Sequence, residues 1–180
     1  MEKLTTSIPD LLLVKPTVWS DERGFFIERY HQKKWQQWGL TTRFVQDNHS
    51  HSVQHVLRGL HYQTQYAQGK LVTVVSGRIF DVAVDIRPDS PYFGQWFGTE
   101  LSSTNHHQLY IPPGFAHGFL VLSETADVIY KTTDYYTPAY EQTLCWNDPD
   151  INIQWPLQVP PILSEKDEKG LTLTQAIALL

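Results

Sequence analysis

The stretch KLVTVVSGRIFDVAVDI, residues 70–86, contains two runs rich in Val and Ile, which predict β structure, and the second run alternates in polarity. In its second half the large apolar residues and the carboxylates fall on opposite faces, with Phe80, Val82, Val84 and Ile86 on one face and Asp81, Ala83 and Asp85 on the other. This alternation places one face of a strand in a hydrophobic core, and we expect the polar face to line a cavity. Gly77 divides the stretch, which predicts a tight turn and a β-hairpin over residues 70–86.

Short runs rich in Val, Ile, Tyr, Phe and Thr recur through the rest of the chain between Gly, Pro, Asn and Asp. They predict strands at residues 11–14, 25–30, 44–48, 56–63, 70–76, 78–86, 95–101, 108–111, 118–122, 128–135 and 142–146. Helical periodicity is limited to residues 31–38, ended by Gly39, and residues 171–180. The sequence therefore predicts a mainly β protein, an antiparallel sandwich or barrel with a few short helices.

The composition excludes several classes of function. A chain of 180 residues with 41% hydrophobic residues suits a single domain, residues 1–180. The formal charge of -5 argues against a nucleic-acid partner. No apolar run is long enough to cross a membrane, and Met1–Pro9 lacks the pattern of a signal peptide. The single Cys145 cannot form an internal disulfide, so we expect a cytoplasmic protein.

Polar, ionisable and aromatic residues gather in a few clusters within these apolar strand patterns. The clusters are DERGFFIE at residues 21–28, QDN at 46–48, RGLHYQ at 58–63, QGK at 68–70, PPGFAHGF at 112–119 and YKTTDYY at 130–136. Their order and spacing resemble the dTDP-4-dehydrorhamnose 3,5-epimerase family from about Asp21 to about Asp167. The resemblance implies a cupin-type jelly roll that acts on a keto sugar linked to dTDP.

The resemblance also implies a set of catalytic residues. His61 matches the family's base, Asp167 the aspartate paired with it, Tyr130 the proton donor and Lys70 the lysine that holds the keto oxygen. Inversion of a carbon beside a keto group requires a base on one face, an acid on the other and a group that stabilises the enolate. Imidazole, phenol and ammonium groups suit these three roles.

Further matched positions are implied to bind the substrate. They are Arg23, Phe25, Glu28, Gln46, Asp47, Asn48, Arg58, Lys70, His117, Tyr136, Glu141 and Lys166. Guanidinium groups suit a diphosphate, and aromatic faces can stack on a base. In the family the segment around Arg23 and Glu28 reaches the partner subunit's site, which implies a homodimer with shared sites.

The spacing of Arg58 and His61 sets a structural requirement. Residues three positions apart point to opposite faces of a flat strand. Both side chains can enter one site only if the strand bulges, and Gly59 is the residue that would allow a bulge.

The metal site of many cupins is incomplete in this chain. His49 and His51 form an H-x-H pair, but no Glu follows them closely, and Arg43 stands where that motif begins with Gly. The second-half pattern around Gly114 and His117 remains. Because a transition-metal site needs three or four convergent ligands, we expect no metal, and the family resemblance implies that no cofactor is needed.

The expected reaction is epimerisation of dTDP-4-dehydro-6-deoxy-D-glucose at carbons 3 and 5, a step in dTDP-L-rhamnose biosynthesis. The same residues would serve an epimerase of one carbon or a ketoisomerase acting on a related dTDP sugar. Two alternatives belong to other classes of protein. A metal-dependent cupin oxygenase would contain bound metal, whereas a non-catalytic sugar-nucleotide-binding module would bind dTDP without proton exchange.

Overall fold

A computed structural model of the chain describes residues 1–179. The strands are β1 (Glu2–Leu4), β2 (Leu12–Lys15), β3 (Val18–Asp21), β4 (Gly24–Ile27), β5 (Gln46–Val53), β6 (Leu57–Gln63), β7 (Lys70–Ser76), β8 (Arg78–Asp85), β9 (Trp96–Ser102), β10 (Gln108–Ile111), β11 (Phe115–Val121), β12 (Thr125–Thr132) and β13 (Glu141–Thr143). The helices are α1 (Gln32–Gln36), α2 (Glu165–Glu168) and α3 (Leu173–Ile177), with a 3-10 turn at Pro138–Tyr140. Within these residues no helix is long and apolar enough to span a membrane.

Two antiparallel sheets face each other. The first has the strand order β1-β2-β10-β7-β12-β5, and the second has the order β13-β6-β11-β8-β9. Strands β3 and β4 form a separate two-stranded hairpin. Side chains from both sheets, among them Val72, Val74, Ile79 and Leu101, form the hydrophobic core between them. The mainly β jelly-roll sandwich predicted from the sequence is therefore confirmed.

Each sheet also has its outer face covered in part. Outside the second sheet, Val82, Val84 and Ile86 of the β8 region pack with Leu173 and Ala176 of α3. Outside the first sheet, α1 and its neighbours cover residues that include Leu12, Val14 and Leu71. Strand β8 is buried on both faces, so its successive side chains point alternately into two apolar clusters. Asp81 and Asp85 are buried on the face that contains Ala83.

The predicted hairpin over residues 70–86 is wrong. Strand β7 pairs with β10 and β12 in one sheet, whereas β8 pairs with β9 and β11 in the other. Gly77 is the single residue between them, too short for the two-residue loop of a tight hairpin, and it carries the chain from one sheet to the other. Its φ of 78° is the left-handed backbone conformation that favours glycine, and the chain bends sharply there without forming the predicted hairpin turn.

Other element boundaries differ from the predictions by a few residues. Strand β5 continues to Val53 because pairing with β12 extends along all eight of its residues. Strands β1 and β3 and helix α2 were not predicted, since each is too short to show a periodic pattern. The helix expected over residues 171–180 is present at Leu173–Ile177, and Leu180 lies outside the described residues.

The crossing at Gly77 leads to a stability prediction. A Cβ at this position would overlap the carbonyl oxygen of Thr125. The positive φ adds a second destabilising effect, because residues other than glycine adopt this conformation only at a cost in free energy. We expect Gly77→Ala to lower the free energy of unfolding by about 3 kcal/mol or more, measured by urea denaturation.

Gly39→Ala is the matched control, because Gly39 has a similar φ of 88° with no heavy atom within 4 Å of an added Cβ. We expect this change to cost about 1 kcal/mol. Equal losses for the two variants would contradict the close contact at the crossing.

Candidate active site

A cavity of about 490 Å³ opens between the two sheets. Its lining contains most of the site residues that the sequence predicted: Gln46, Asn48, Arg58, His61, Lys70, His117, Tyr130, Tyr136, Glu141 and Lys166. These residues come from β5, β7 and β12 of the first sheet and from β6, β11 and β13 of the second, together with Tyr136 before the 3-10 turn and Lys166 in α2. The fold thus gathers positions that are far apart in the sequence.

A bulge in β6 brings Arg58 and His61 to the same cavity. Arg58 pairs with Phe119 and His61 with His117, so two residues of β6 lie opposite the single Gly118 of β11. Gly59 has a φ of 107°, and an added Cβ would lie 2.5 Å from the carbonyl oxygen of His117. The bulge that the spacing required is confirmed.

His61 is oriented by a carboxylate. Its Nε2 lies 2.6 Å from Oδ1 of Asp167, and the other oxygen, Oδ2, accepts a hydrogen bond of 2.8 Å from the Ser164 hydroxyl. Burial alone would raise the pKa of Asp167, but the hydrogen bonds from His61 and Ser164 outweigh it and lower the pKa. An ionised Asp167 holds the proton on Nε2, which leaves Nδ1 of the imidazole with the free electron pair.

Tyr130 and Lys70 enter the cavity from the other sheet. Tyr130 is on β12 and Lys70 on β7, whereas His61 is on β6 of the facing sheet. Burial raises the pKa of Tyr130, so the phenol is protonated at neutral pH. Burial lowers the pKa of Lys70 to about 8, with the charge of Glu141 opposing the shift, and Nζ donates a hydrogen bond of 3.2 Å to the His61 carbonyl.

A second histidine–carboxylate pair lies beside the first. His117 is directly opposite His61 across the β6–β11 pairing, and its Nε2 lies 2.8 Å from Oδ1 of Asp81. Both residues of this pair are buried. Burial lowers the pKa of His117 against the influence of Asp81, so its ring is neutral near pH 7 and can only donate or accept hydrogen bonds there.

A polar network surrounds the mouth of the cavity. The Tyr136 hydroxyl donates a hydrogen bond of 2.8 Å to Glu141, which also forms an ion pair of 2.9 Å with Lys166. These two partners lower the pKa of Glu141, although its burial acts in the opposite direction. Nε2 of Gln46 donates to Oδ1 of Asn48 on the same strand, so both amides point to this side of β5.

Four of the predicted substrate-binding residues lie outside the cavity. Asp47 is on the opposite face of β5, where its carboxylate binds Lys131 at 2.9 Å. Arg23, Phe25 and Glu28 belong to the β3–β4 hairpin or directly follow it. The side chain of Arg23 is 86% exposed and Phe25 is 61% exposed, and within residues 1–179 neither contributes to the cavity wall.

Sequence reasoning did not assign a role to several residues that support the site. Asp81 holds His117, Ser164 holds Asp167, and Gln63 and Gln68 line the cavity. Asp81 could have been recognised because it is a carboxylate within a strongly apolar strand, and burying a carboxylate costs free energy unless the group is paired. Ser164 begins α2 as its N-cap and could have been recognised by its position three residues before Asp167.

The H-x-H pair lies away from the cavity. His49 and His51 are on the outer face of β5, and both rings contact Asp127 Oδ1, at 2.9 and 3.1 Å. Within residues 1–179 no group of three or more His, Cys, Asp or Glu side chains is arranged to hold a metal ion. That the protein needs no metal or cofactor stays a prediction.

Known proteins of one family match this chain in sequence and in fold. A sequence model of the dTDP-4-dehydrorhamnose 3,5-epimerase family matches residues 5–175. A dTDP-4-dehydrorhamnose 3,5-epimerase from Pseudomonas aeruginosa is 53% identical over 177 residues, 98% of each chain. A crystal structure of a dTDP-6-deoxy-D-glucose-3,5-epimerase from Legionella pneumophila in complex with dTDP-4-keto-L-rhamnose superposes with a TM-score of 0.97 at 51% identity, and covers 99% of this chain and 96% of that one.

A more distant structure has the same fold. A 3′-monoepimerase from Streptomyces bikiniensis in complex with dTDP-quinovose superposes with a TM-score of 0.91 at 32% identity, and covers 99% of this chain and 90% of that one. The match of the family model over nearly the whole chain, together with relatives above 50% identity, is decisive. The chain belongs to the dTDP-4-dehydrorhamnose 3,5-epimerase family.

Proposed function

We propose that this chain epimerises dTDP-4-dehydro-6-deoxy-D-glucose at carbons 3 and 5 to give dTDP-4-dehydro-L-rhamnose, a step in dTDP-L-rhamnose biosynthesis. The observation that carries the proposal is a cavity with a carboxylate-paired His61 in one wall and a protonated Tyr130 in the facing sheet. A base and an acid on facing walls can act on opposite faces of one sugar ring, which inversion requires.

The chemistry follows from the charge of each group. His61 removes the proton from the carbon beside the keto group, and the electron pair of the broken C–H bond moves to the keto oxygen to form an enolate. The Lys70 ammonium stabilises this oxygen, while Asp167 stabilises the imidazolium. Tyr130 then donates its proton to the opposite face of the carbon, and exchange with solvent returns His61 and Tyr130 to their starting states.

The remaining cavity residues suit the nucleotide. Arg58 is partly held by the Ser52 hydroxyl, at 2.9 Å from its Nε, and keeps guanidinium N–H groups for a diphosphate. The Tyr136 ring at the mouth can stack on thymine, and the amides of Gln46 and Asn48 can bind polar edges of the base or sugar. His117, Glu141 and Lys166 complete the proposed substrate-binding set.

The exposed hairpin supports a homodimer. Its aromatic side chains are open to solvent, with Trp19 51%, Phe25 61% and Phe26 67% exposed, and such a patch is costly without a partner. We infer that the hairpin of one copy places Arg23, Phe25 and Glu28 at the cavity of the other. Asp47, on the edge strand β5, would lie beside the incoming hairpin.

A second candidate is an epimerase that acts on one carbon only. The likeness to the Streptomyces bikiniensis 3′-monoepimerase favours keeping it, because that enzyme has the same fold. Epimerisation of both carbons is the first choice, because relatives above 50% identity are 3,5-epimerases.

A cytoplasmic location, action as a single domain and the absence of nucleic-acid and membrane partners also stay predictions, supported by the composition.

Proton exchange tests the function directly. With dTDP-4-dehydro-6-deoxy-D-glucose in deuterated water and chelator, we expect the proton NMR signals of carbons 3 and 5 both to disappear. His61→Asn should slow this loss at least about 100-fold while dTDP still binds, because the base is removed from an otherwise intact cavity.

His49→Asn is the matched control, since His49 is exposed on the outer face of β5, and its exchange rate should equal that of the unchanged chain. Loss of only one signal would identify the single-carbon epimerase. Unaltered exchange in His61→Asn would remove His61 from the role of base.

The pKa of Lys70 predicts the alkaline side of the pH profile. The protonated ammonium is the form that stabilises an enolate, and its fraction falls as the pH rises through about 8. We therefore expect kcat/KM to decrease above about pH 8. Lys70→Arg keeps its charge at high pH, so whatever activity it retains should show no such decrease before pH 10. A wild-type profile that stays flat to pH 10 would contradict the role of Lys70.

Mixing two inactive variants tests the exchange of hairpins. Arg23→Ala and His61→Asn damage different parts of the proposed shared site, so a mixed dimer would contain one site with both intact residues. Random pairing of equal amounts should restore about a quarter of the wild-type sites. No recovery in verified mixed dimers, prepared by coexpression, would show that the hairpin acts on its own chain.

A further inference from the structure

The segment 134–137, which carries Tyr136, is held by glutamine side chains rather than by sheet pairing. Within residues 1–179, Asp134, Tyr135 and Tyr136 make no backbone-to-backbone hydrogen bond. The Asp134 carbonyl instead accepts from Gln68 and from the Thr132 hydroxyl, each at 2.9 Å, and the Tyr135 carbonyl accepts from Gln63 at 3.3 Å.

The next two residues are held in the same way. The Tyr136 N–H donates to Gln46 Oε1 at 3.1 Å, and the Thr137 N–H donates to Gln63 Oε1 at 2.8 Å. Four consecutive residues are thus bound by three carboxamides, which come from β5, from the end of β6 and from the loop before β7. All three glutamines line the cavity.

Gln63 has the central place in this arrangement. It is buried, and its Oε1 and Nε2 hold the backbone on either side of Tyr136. Nε2 also donates to the Tyr66 carbonyl at 2.8 Å, which ties the loop after β6 to segment 134–137. A carboxamide is required here, because the side chain must accept from one N–H and donate to carbonyl oxygens at the same time.

We propose that Gln63 is a positioning residue that fixes Tyr136 at the mouth of the cavity. Gln46 and Gln68 contribute further hydrogen bonds to the same backbone segment. This inference rests on the proposed function, in which Tyr136 contacts the nucleotide. The Tyr136 hydroxyl is bound to Glu141, so the backbone held by Gln63 and the ring held by Glu141 together determine where the aromatic face lies. Gln63 therefore acts on nucleotide affinity and specificity through Tyr136 and not on proton transfer.

Kinetics of Gln63→Met and Gln63→Glu test this role. Methionine keeps the size of the side chain and removes both hydrogen-bonding groups, whereas glutamate would direct a carboxylate at the carbonyls of Tyr66 and Tyr135. We expect Gln63→Met to raise KM and the dissociation constant of dTDP about tenfold with kcat within about twofold, the result of losing one or two hydrogen bonds that serve binding. Gln63→Glu should raise both constants further.

Gln65→Met is the matched control, because Gln65 is exposed nearby on the same loop and its side chain makes no hydrogen bond within residues 1–179. Its constants should equal those of the wild type. A tenfold fall in kcat at unchanged KM in Gln63→Met, or no effect at all, would overturn the proposal. If Gln63→Met fails to fold, Gln68→Met tests the same segment with a smaller expected rise in KM.

A double-mutant cycle separates positioning from general destabilisation. In a Tyr136→Ala background the ring is absent, so Gln63→Met should produce no further loss of dTDP affinity. Additive losses would show that Gln63 acts by another route and would overturn the proposal.

Hydrogen exchange provides a readout that does not depend on the reaction. The amide proton of Thr137 should exchange at least about tenfold faster in Gln63→Met than in Gln65→Met. Equal exchange would contradict the inference. Failure of the proposed function would instead appear as wild-type protein without epimerisation, with the difference in amide exchange still present.

Discussion

The close approach of β6 and β11 is the constraint on which the site depends. Gly59 and Gly118 contact each other at the β-bulge, where β6 has one residue more than β11. A Cβ on Gly118 would lie 2.6 Å from the carbonyl oxygen of Arg58. Without a bulge, Arg58 and His61 would point to opposite faces of the sheet. With it, Arg58 and His61 both line the cavity, and His61 lies opposite His117, next to Lys70. Two glycines thus allow Arg58 and His61, the proposed phosphate-binding group and the proposed base, to enter one cavity from the same strand.

The two sheets of the sandwich contribute different groups to the proposed reaction. In the proposed reaction a keto sugar lies between the two sheets, with His61 on one side of it and Tyr130 on the other. Burial adjusts the acidity of the groups that must stay protonated: it raises the pKa of Tyr130, and it lowers the pKa of Lys70 only to about 8, so the ammonium persists at neutral pH. The proposed proton transfers use side chains of the cavity together with Asp167, which is hydrogen-bonded to His61.

Local patterns in the sequence predicted the β class, most strands and the bulge at Gly59, because each depends on residues that are neighbours in the chain. The hairpin at Gly77 was predicted wrongly, since alternation does not show whether consecutive strands pair with each other or belong to facing sheets. The partnership of His61 with Asp167 spans 106 residues and came from the family resemblance alone. The role of Gln63 could not be inferred, because its partners are backbone groups that only the folded loops bring together.

An acid and a base on opposite walls of the cavity have a stereochemical consequence, which the variant Tyr130→Phe reveals. Deuterium incorporation at carbon 5 and the configuration of that carbon would be followed together by NMR in deuterated water. The account predicts that Tyr130→Phe still exchanges the proton through His61 but forms almost no inverted product, because no acid remains on the far face. Inversion at the wild-type rate would contradict the account, since the proton would then be delivered by a group other than Tyr130.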